Sequence, residues 1–335
     1  MRSWPTSLGS LVLTGALAAA GCGTDVDEAT PQTSSTTTTA TPTTVATSTT
    51  IAAATTTGPP VPSTLAPIVA GEAPRAALDP TTLAQQITQA ELAIRDPHAS
   101  PSLVDAAGRL AQLAYRRLAD HPEWDATVLA AVDPSLQATT ATLVAARREF
   151  RAMHVTLSDT LPAWRIVEPL PADQLLGLYQ EAEAAFGVPW PVLAAVNLVE
   201  TAMGRIQGLS VAGAQGPMQF MPGTWDAYGM GGDVNDTRDA IMGAANYLRA
   251  NGAAEGTPEA LDHALFRYNN SNRYVRGVRA FADVIAQEPM TLRGFHAWEV
   301  VYLSVAGDIL LEPGYSANER IPVADYLAAH PNALL

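Results

Sequence analysis

The run WPVLAAVNLVETAMGR, residues 190–205, constrains this chain more than any other stretch. From Trp190 to Val199 the only polar side chain is Asn197, and Glu200 follows it. A helix that is apolar on nearly every side is stable only inside a core. The chain must therefore build its interior around this segment, and a hydrophobic content of 47% permits that. Glu200 falls in the last turn of the expected helix. Burial and the negative end of the helix dipole both disfavour a carboxylate there. The group should hold its proton well above the usual range, as a general acid requires. From the helix alone, an exposed glutamate at a frayed end is the better explanation of the residue.

The 335 residues are enough for two domains or one large one. The net charge of −14 argues against a phosphate-binding surface, so nucleic acid is not an expected partner. One cysteine, Cys22, excludes an intramolecular disulfide and a cysteine-based metal cluster. Arg2 is followed by the apolar run LVLTGALAAAGC, which is short for a membrane span and reads as an export signal over 1–22. AAGC resembles the lipobox of bacterial lipoproteins, which implies lipidation of Cys22 and a membrane anchor facing the cell wall. Ordinary secretion with cleavage near Ala20, or a retained anchor, is the alternative. Residues 23–75 are rich in Thr, Ser, Pro and Ala, as in SSTTTTATPTTVATSTT, and read as a disordered linker.

From Asp79 the pattern becomes helical. Four expected starts place a proline at the first helical position after Asp79, Ser100, His121 and Asp133. Histidine is the one poor cap among them. Residues 76–160 thus read as a helical domain or extension. Residues 161–335 form the second expected block. TLPAWRIVEPLP, 160–171, reads as a connector. Further helices run from Pro171 to a stop at Gly187, from Trp190 to about Met203, and from Asp236 to Asn251-Gly252. Two more lie in PEALDHALFRYNN and NRYVRGVRAFADVIAQ. WEVVYLSV and ILLEPGY, flanking Ala306-Gly307-Asp308, read as a β-hairpin. The expected fold is mainly α, with a small C-terminal hairpin and a helical N-terminal region.

Two polar segments follow Glu200. GLSVAGAQGPMQFMPGTW, 208–225, sets Gln219 among Met218, Phe220 and Met221. An amide in an apolar wall can donate and accept, which suits an uncharged polar ligand such as an acetamido sugar. A structural loop with Gln219 turned outward is the bland reading. ALFRYNNSNRYV, 264–275, brings Tyr268, Asn269 and Tyr274, and helix capping would explain part of it.

Together, Glu200-Thr201 with Gly204-Arg205, SVAGAQGPMQFMPGTW, DAIMGAANYLRANG and RYNNSNRYV resemble the lytic transglycosylases of bacterial cell walls. The soluble-type SLT signature is joined by features of the membrane-bound B type. The resemblance covers roughly residues 165–285 and implies a lysozyme-like fold. It implies Glu200 as catalytic acid and base, Ser210 as a contact of that acid, Gln219 and Met221 in the sugar cleft, and Tyr268 near the acid. Asn269 joins the substrate-binding set. Pro217 and Asn270 depart from the soluble type, which has Leu and Ala there.

The implied reaction cleaves peptidoglycan between N-acetylmuramic acid and N-acetylglucosamine and closes a 1,6-anhydro ring. A lone acid fits substrate-assisted chemistry, an exception to the usual pair of carboxylates. A hydrolase using water held by Asp233 is the nearest rival. A non-catalytic wall-binding scaffold is the rival from another class. GLSVAG is not a nucleophile elbow, and there is no H-E-x-x-H. His98, His121 and His154 lack metal-ligand spacing, and GMGGD at 229–233 reads as a turn. No cofactor or metal is expected, and the protein is expected to act as a monomer.

Overall fold

The computed structural model describes residues 66–71 and 73–335. The export signal, Cys22 and nearly all of the Thr/Pro-rich segment lie outside the described residues. Pro67–Leu335 falls within one compact unit.

The N-terminal helices begin where the capping chemistry places them. Asp79 accepts the Thr82 amide at 2.9 Å and opens α1, Pro80–Arg95. Ser100 accepts the Leu103 amide and opens α2, Pro101–Asp120. His121 makes no side-chain cap; it precedes a 3₁₀ turn, Pro122–Trp124, and stacks on Trp124 with ring centres 4.1 Å apart. The helix α3, Asp125–Ala131, follows. Asp133 caps a second 3₁₀ turn that leads into α4, Gln137–Ala152.

The segment read as a connector holds two short strands, β1 at Thr160–Leu161 and β2 at Arg165–Ile166. Next come α5, Ala172–Phe186, and α6, Trp190–Thr201. Gly187 ends α5 in the left-handed region at φ 72°. Strand β3, Ile206–Gln207, pairs antiparallel with β2. Four helices follow, α7 at Pro222–Tyr228, α8 at Thr237–Ala250, α9 at Pro258–Asn269 and α10 at Asn272–Gln287. Asp236 caps α8 by accepting the Asp239 amide, as the sequence leads one to expect. The short α11, Thr291–His296, precedes the hairpin of β4, Val300–Ser304, and β5, Gly307–Leu311. Its register runs from Val300↔Leu311 to Ser304↔Gly307. Strand β6, Ile321–Pro322, pairs with β1, and α12, Val323–Ala329, closes the chain. The fold is mainly α with small antiparallel strand pairs.

A single apolar cluster runs from Leu83 in α1 to Trp298 and includes residues of α2, α4, α5, α6, α8, α9 and α10. Helix α6 sits inside it, with every residue from Pro191 to Thr201 buried. A second cluster gathers Leu161, Trp164, Ile166, Ile206, Tyr302, Ile309 and Ala202 around the strands. Ala202, two residues after Glu200, thus belongs to the strand cluster, whereas Val199 belongs to the helical one. Among the described residues no helix is long and apolar enough to cross a membrane.

The approach of α10 to α4 depends on Gly277. A Cβ there would lie 2.4 Å from Cζ of Phe150, itself stacked on Phe281 at 5.5 Å. Overpacking a core costs about 1–3 kcal/mol, against about 1 kcal/mol gained when alanine replaces a mid-helix glycine. Gly277→Ala should therefore lower the urea midpoint, whereas an unchanged or higher midpoint would show that the two helices have slack.

Candidate active site

Glu200 is 1% exposed. Its Oε1 accepts a hydrogen bond from the Tyr274 hydroxyl at 2.7 Å, and its Oε2 is buried with no protein partner. No salt bridge among the described residues reaches it. Burial pushes its pKa up to about 8, and the Tyr274 hydrogen bond pulls the other way. Near neutral pH the carboxyl therefore stays protonated. With Oε1 occupied as an acceptor, Oε2 is the oxygen left to carry the proton.

The backbone turns sharply just beyond the acid. Ala202, Met203 and Gly204 all have positive φ, at 50°, 62° and 89°. Left-handed backbone is costly for residues with a Cβ, so this turn must be held by its surroundings. The amides of Ala202 and Met203 close on the carbonyls of Leu198 and Asn197, a Schellman-type end. The Gly204 amide donates to Thr201 Oγ1 at 3.0 Å. Arg205, 6% exposed, then fastens the chain by donating to the carbonyls of Trp298 and His296 and to Glu168. The helix thus ends two residues before Met203, where the sequence places its stop.

Asn197 and Thr201 tie α6 to the loop that follows. Tyr179 donates to Asn197 Oδ1 at 2.7 Å. Asn197 Nδ2 and Thr201 Oγ1 both donate to the Pro217 carbonyl, at 2.9 and 2.6 Å. In that loop Gln215 and Phe220 exchange backbone hydrogen bonds across a tight turn. Gly216 has φ 71°, and a Cβ there would lie 1.8 Å from the Val234 carbonyl oxygen, so only glycine fits. Gln219 is 3% exposed, sits at φ 51° and donates Nε2 to the Gly216 carbonyl. It is turned inward, not to solvent. Met221, half-buried, lies just before α7.

Tyr268, 4% exposed, donates to the Met218 carbonyl at 2.7 Å. It lies nearly parallel to Tyr274, at 5° between planes and 6.4 Å between centres. The direct partner of the acid is therefore Tyr274, and Tyr268 braces it and the 215–220 turn. Asn269 is buried at the end of α9. Asn270 ends that helix in the left-handed region, and Ser271 caps α10 by accepting the Tyr274 amide. Ser210, which the resemblance implies as a contact of the acid, accepts the Ala214 amide at 2.9 Å within its own loop. Asp233 Oδ1 accepts the Asn235 amide at 2.9 Å in a local turn. No group of three or more His, Cys, Asp or Glu side chains could hold a metal among the described residues.

Residues 207–262 match the family described as Transglycosylase SLT domain. The match begins seven residues after Glu200 and covers the 210–221 loop, α7 and α8. The chain is also similar to a membrane-bound lytic murein transglycosylase F of Thiobacillus denitrificans (strain ATCC 25259 / T1), 30% identical over 115 residues. That similarity spans 33% of this chain and 24% of the relative, so the chain spans about a quarter of the relative's length. No solved structure matches the chain significantly. The matched segment, 207–262, falls within the stretch whose motifs resemble the lytic transglycosylases.

The raised pKa of Glu200 has a sign that unfolding can read. An exposed glutamate in the unfolded chain ionises near 4.5, and the folded group near 8. Below the lower value the neutral carboxyl contributes its full stabilisation. Between the two only the unfolded state loses the proton, so stability falls with rising pH by about 1.4 kcal/mol per pH unit for this group. Glu200→Gln removes that slope. The stability of the variant relative to wild type should therefore climb through this window, and a difference that stays flat with pH would place the carboxyl in water. Tyr274→Phe removes an interaction that favours the ionised form, so it should carry the upper end of the window to still higher pH.

Proposed function

We propose that the protein is a peptidoglycan lytic transglycosylase with Glu200 as its single acid and base. The observation that carries this reading is the state of one carboxyl group. Its Oε1 is anchored by Tyr274, and its Oε2 is enclosed in an apolar site without a protein partner. The SLT match downstream and the name of the murein transglycosylase relative supply the substrate class.

The protonated carboxyl gives its hydrogen to the glycosidic oxygen between N-acetylmuramic acid and N-acetylglucosamine. The bond from that oxygen to muramyl carbon 1 breaks, and the N-acetylglucosamine hydroxyl leaves. The acetamido oxygen of the muramyl residue shares the positive charge left on carbon 1. Glu200 is now a carboxylate in a site that disfavours charge, hence a strong base, and Tyr274 donates to it through this phase. It takes the proton of the muramyl 6-hydroxyl, and that oxygen closes on carbon 1. The products are a 1,6-anhydromuramyl end and a free N-acetylglucosamine end, with no water consumed. Asp233, bonded into its own turn, has no part in this sequence.

The rest of the chain fits a wall enzyme acting near a membrane. Lipidation of Cys22 anchors the protein, and the Thr/Pro-rich segment gives the catalytic residues reach toward the glycan. On this reading the protein acts as a monomer.

The test is mass spectrometry of muropeptides released from purified wall by the full protein. Products lighter by one water than hydrolytic ones are expected. Glu200→Gln should lower the rate by about 10²–10⁴-fold. Products of hydrolytic mass would make the protein a muramidase, and near-normal turnover by the variant would remove Glu200 from the chemistry.

A further inference from the structure

Residues 76–160 take no part in the chemistry above, yet one of their helices reaches the segment that carries the partner of the acid. Helix α10 begins at Asn272, so Tyr274 lies in its first turn, with Arg273 before it and Arg276 two residues after. That turn is poorly held by its own residues. A helix N-terminus is the positive end of the dipole, where cations are disfavoured, and the first turn of α10 contains no acid. Its cap is long, with Ser271 Oγ 3.4 Å from the Tyr274 amide. A helix end of this kind frays unless something outside the helix holds it.

The counter-charge comes from α4. Glu149 is the only acid in that helix, among Arg147, Arg148 and Arg151. Its carboxylate accepts from Arg276 Nε at 2.8 Å and Nη2 at 2.9 Å, and from Arg273 Nη1 at 3.1 Å. The Arg276 contact is a two-bond fork, which fixes direction as well as distance. It also holds the Glu149 carboxyl below the usual carboxylate range, so the group is ionised. The next residue, Phe150, packs its ring over Gly277 and stacks on Phe281. Residues 149 and 150 thus grip α10 before and after Tyr274. Helix α10 also packs on α6, and there the Tyr274 hydroxyl meets Glu200. Ion pairs as open as these add little to stability, since the side chains of Arg273 and Arg276 are 49% and 55% exposed. Their use is geometric: they keep the first turn of α10 wound and its tyrosine in place.

We propose that Glu149 is a positioning residue for the acid: through Arg273 and Arg276 it holds Tyr274 against Glu200. The helical region before the site is then a brace for the active site and more than a covering of its core. The expected effect on turnover rests on the transglycosylase reading, whereas the coupling of Glu149 to the acid does not.

Carbon-13 NMR of the Glu200 carboxyl in the full protein tests the coupling without substrate. Four proteins are titrated: wild type, Glu149→Ala, Tyr274→Phe and the double variant. The Tyr274 hydrogen bond lowers the Glu200 midpoint, so loosening it in Glu149→Ala should raise that midpoint above about 8. In the Tyr274→Phe background the same change should have no further effect, because the link is already cut. With glycan strands as substrate, Glu149→Ala should lower kcat by about 2–30-fold, the scale of a residue that acts through a contact network, and leave KM unchanged. An unmoved or lowered Glu200 midpoint, whatever the melting temperature does, would make Glu149 merely structural and overturn the proposal; so would equal shifts in both backgrounds. Normal turnover by Glu200→Gln would remove the transglycosylase reading and leave the titration to decide this proposal alone. Should Glu149→Ala fail to fold, Glu149→Gln, which keeps the size of the side chain and removes its charge, is measured in the same way.

Discussion

Removing one carboxyl group from water is the constraint on which this structure depends. Glu200 ends a helix that has no solvent-facing side, and burial outweighs the single hydrogen bond that favours its ionised form. A side chain in that position is expensive to charge and correspondingly strong as an acid or a base at neutral pH. Its surroundings keep it there. The helical core encloses α6, and the chain enters the strand cluster at Ala202, two residues beyond the acid.

Such a position needs a rigid frame. The left-handed turn at 202–204 reverses the chain at once, and Arg205 locks it against the carbonyls of His296 and Trp298. Asn197 and Thr201, on the same helix as the acid, hold the Pro217 carbonyl and so fix the loop that presents Gln219. Tyr268 and Tyr274 stack and reach two different targets, the Met218 carbonyl and Glu200. Loop, helix end and tyrosine pair thus form one hydrogen-bonded unit.

Much of this was legible in the sequence because it rests on local chemistry. Asp79, Ser100 and Asp236 cap the helices they precede, Gly187 ends α5, and the hairpin turns at the glycine-containing loop. The buried α6 follows from its unbroken apolar run. What was not legible depends on distant contacts. Ala202 and Met203 carry no signal for left-handed backbone, and part of what holds the turn is Arg205's contacts some 90 residues away. The choice of Tyr274 over Tyr268 as partner of the acid is set by how α9 and α10 pack, since both tyrosines sit in one short motif. The two-residue strands in the 160–171 segment escaped notice because their partners lie far along the chain.

The account stands or falls on the charge state of one group. Carbon-13 NMR of the Glu200 side-chain carboxyl, assigned by its loss in Glu200→Gln, measures that state directly across pH. The structure predicts a midpoint near 8, with the neutral form dominant at pH 7. A midpoint near 4.5, the ordinary value for an exposed glutamate, would contradict the claim that burial arms this acid.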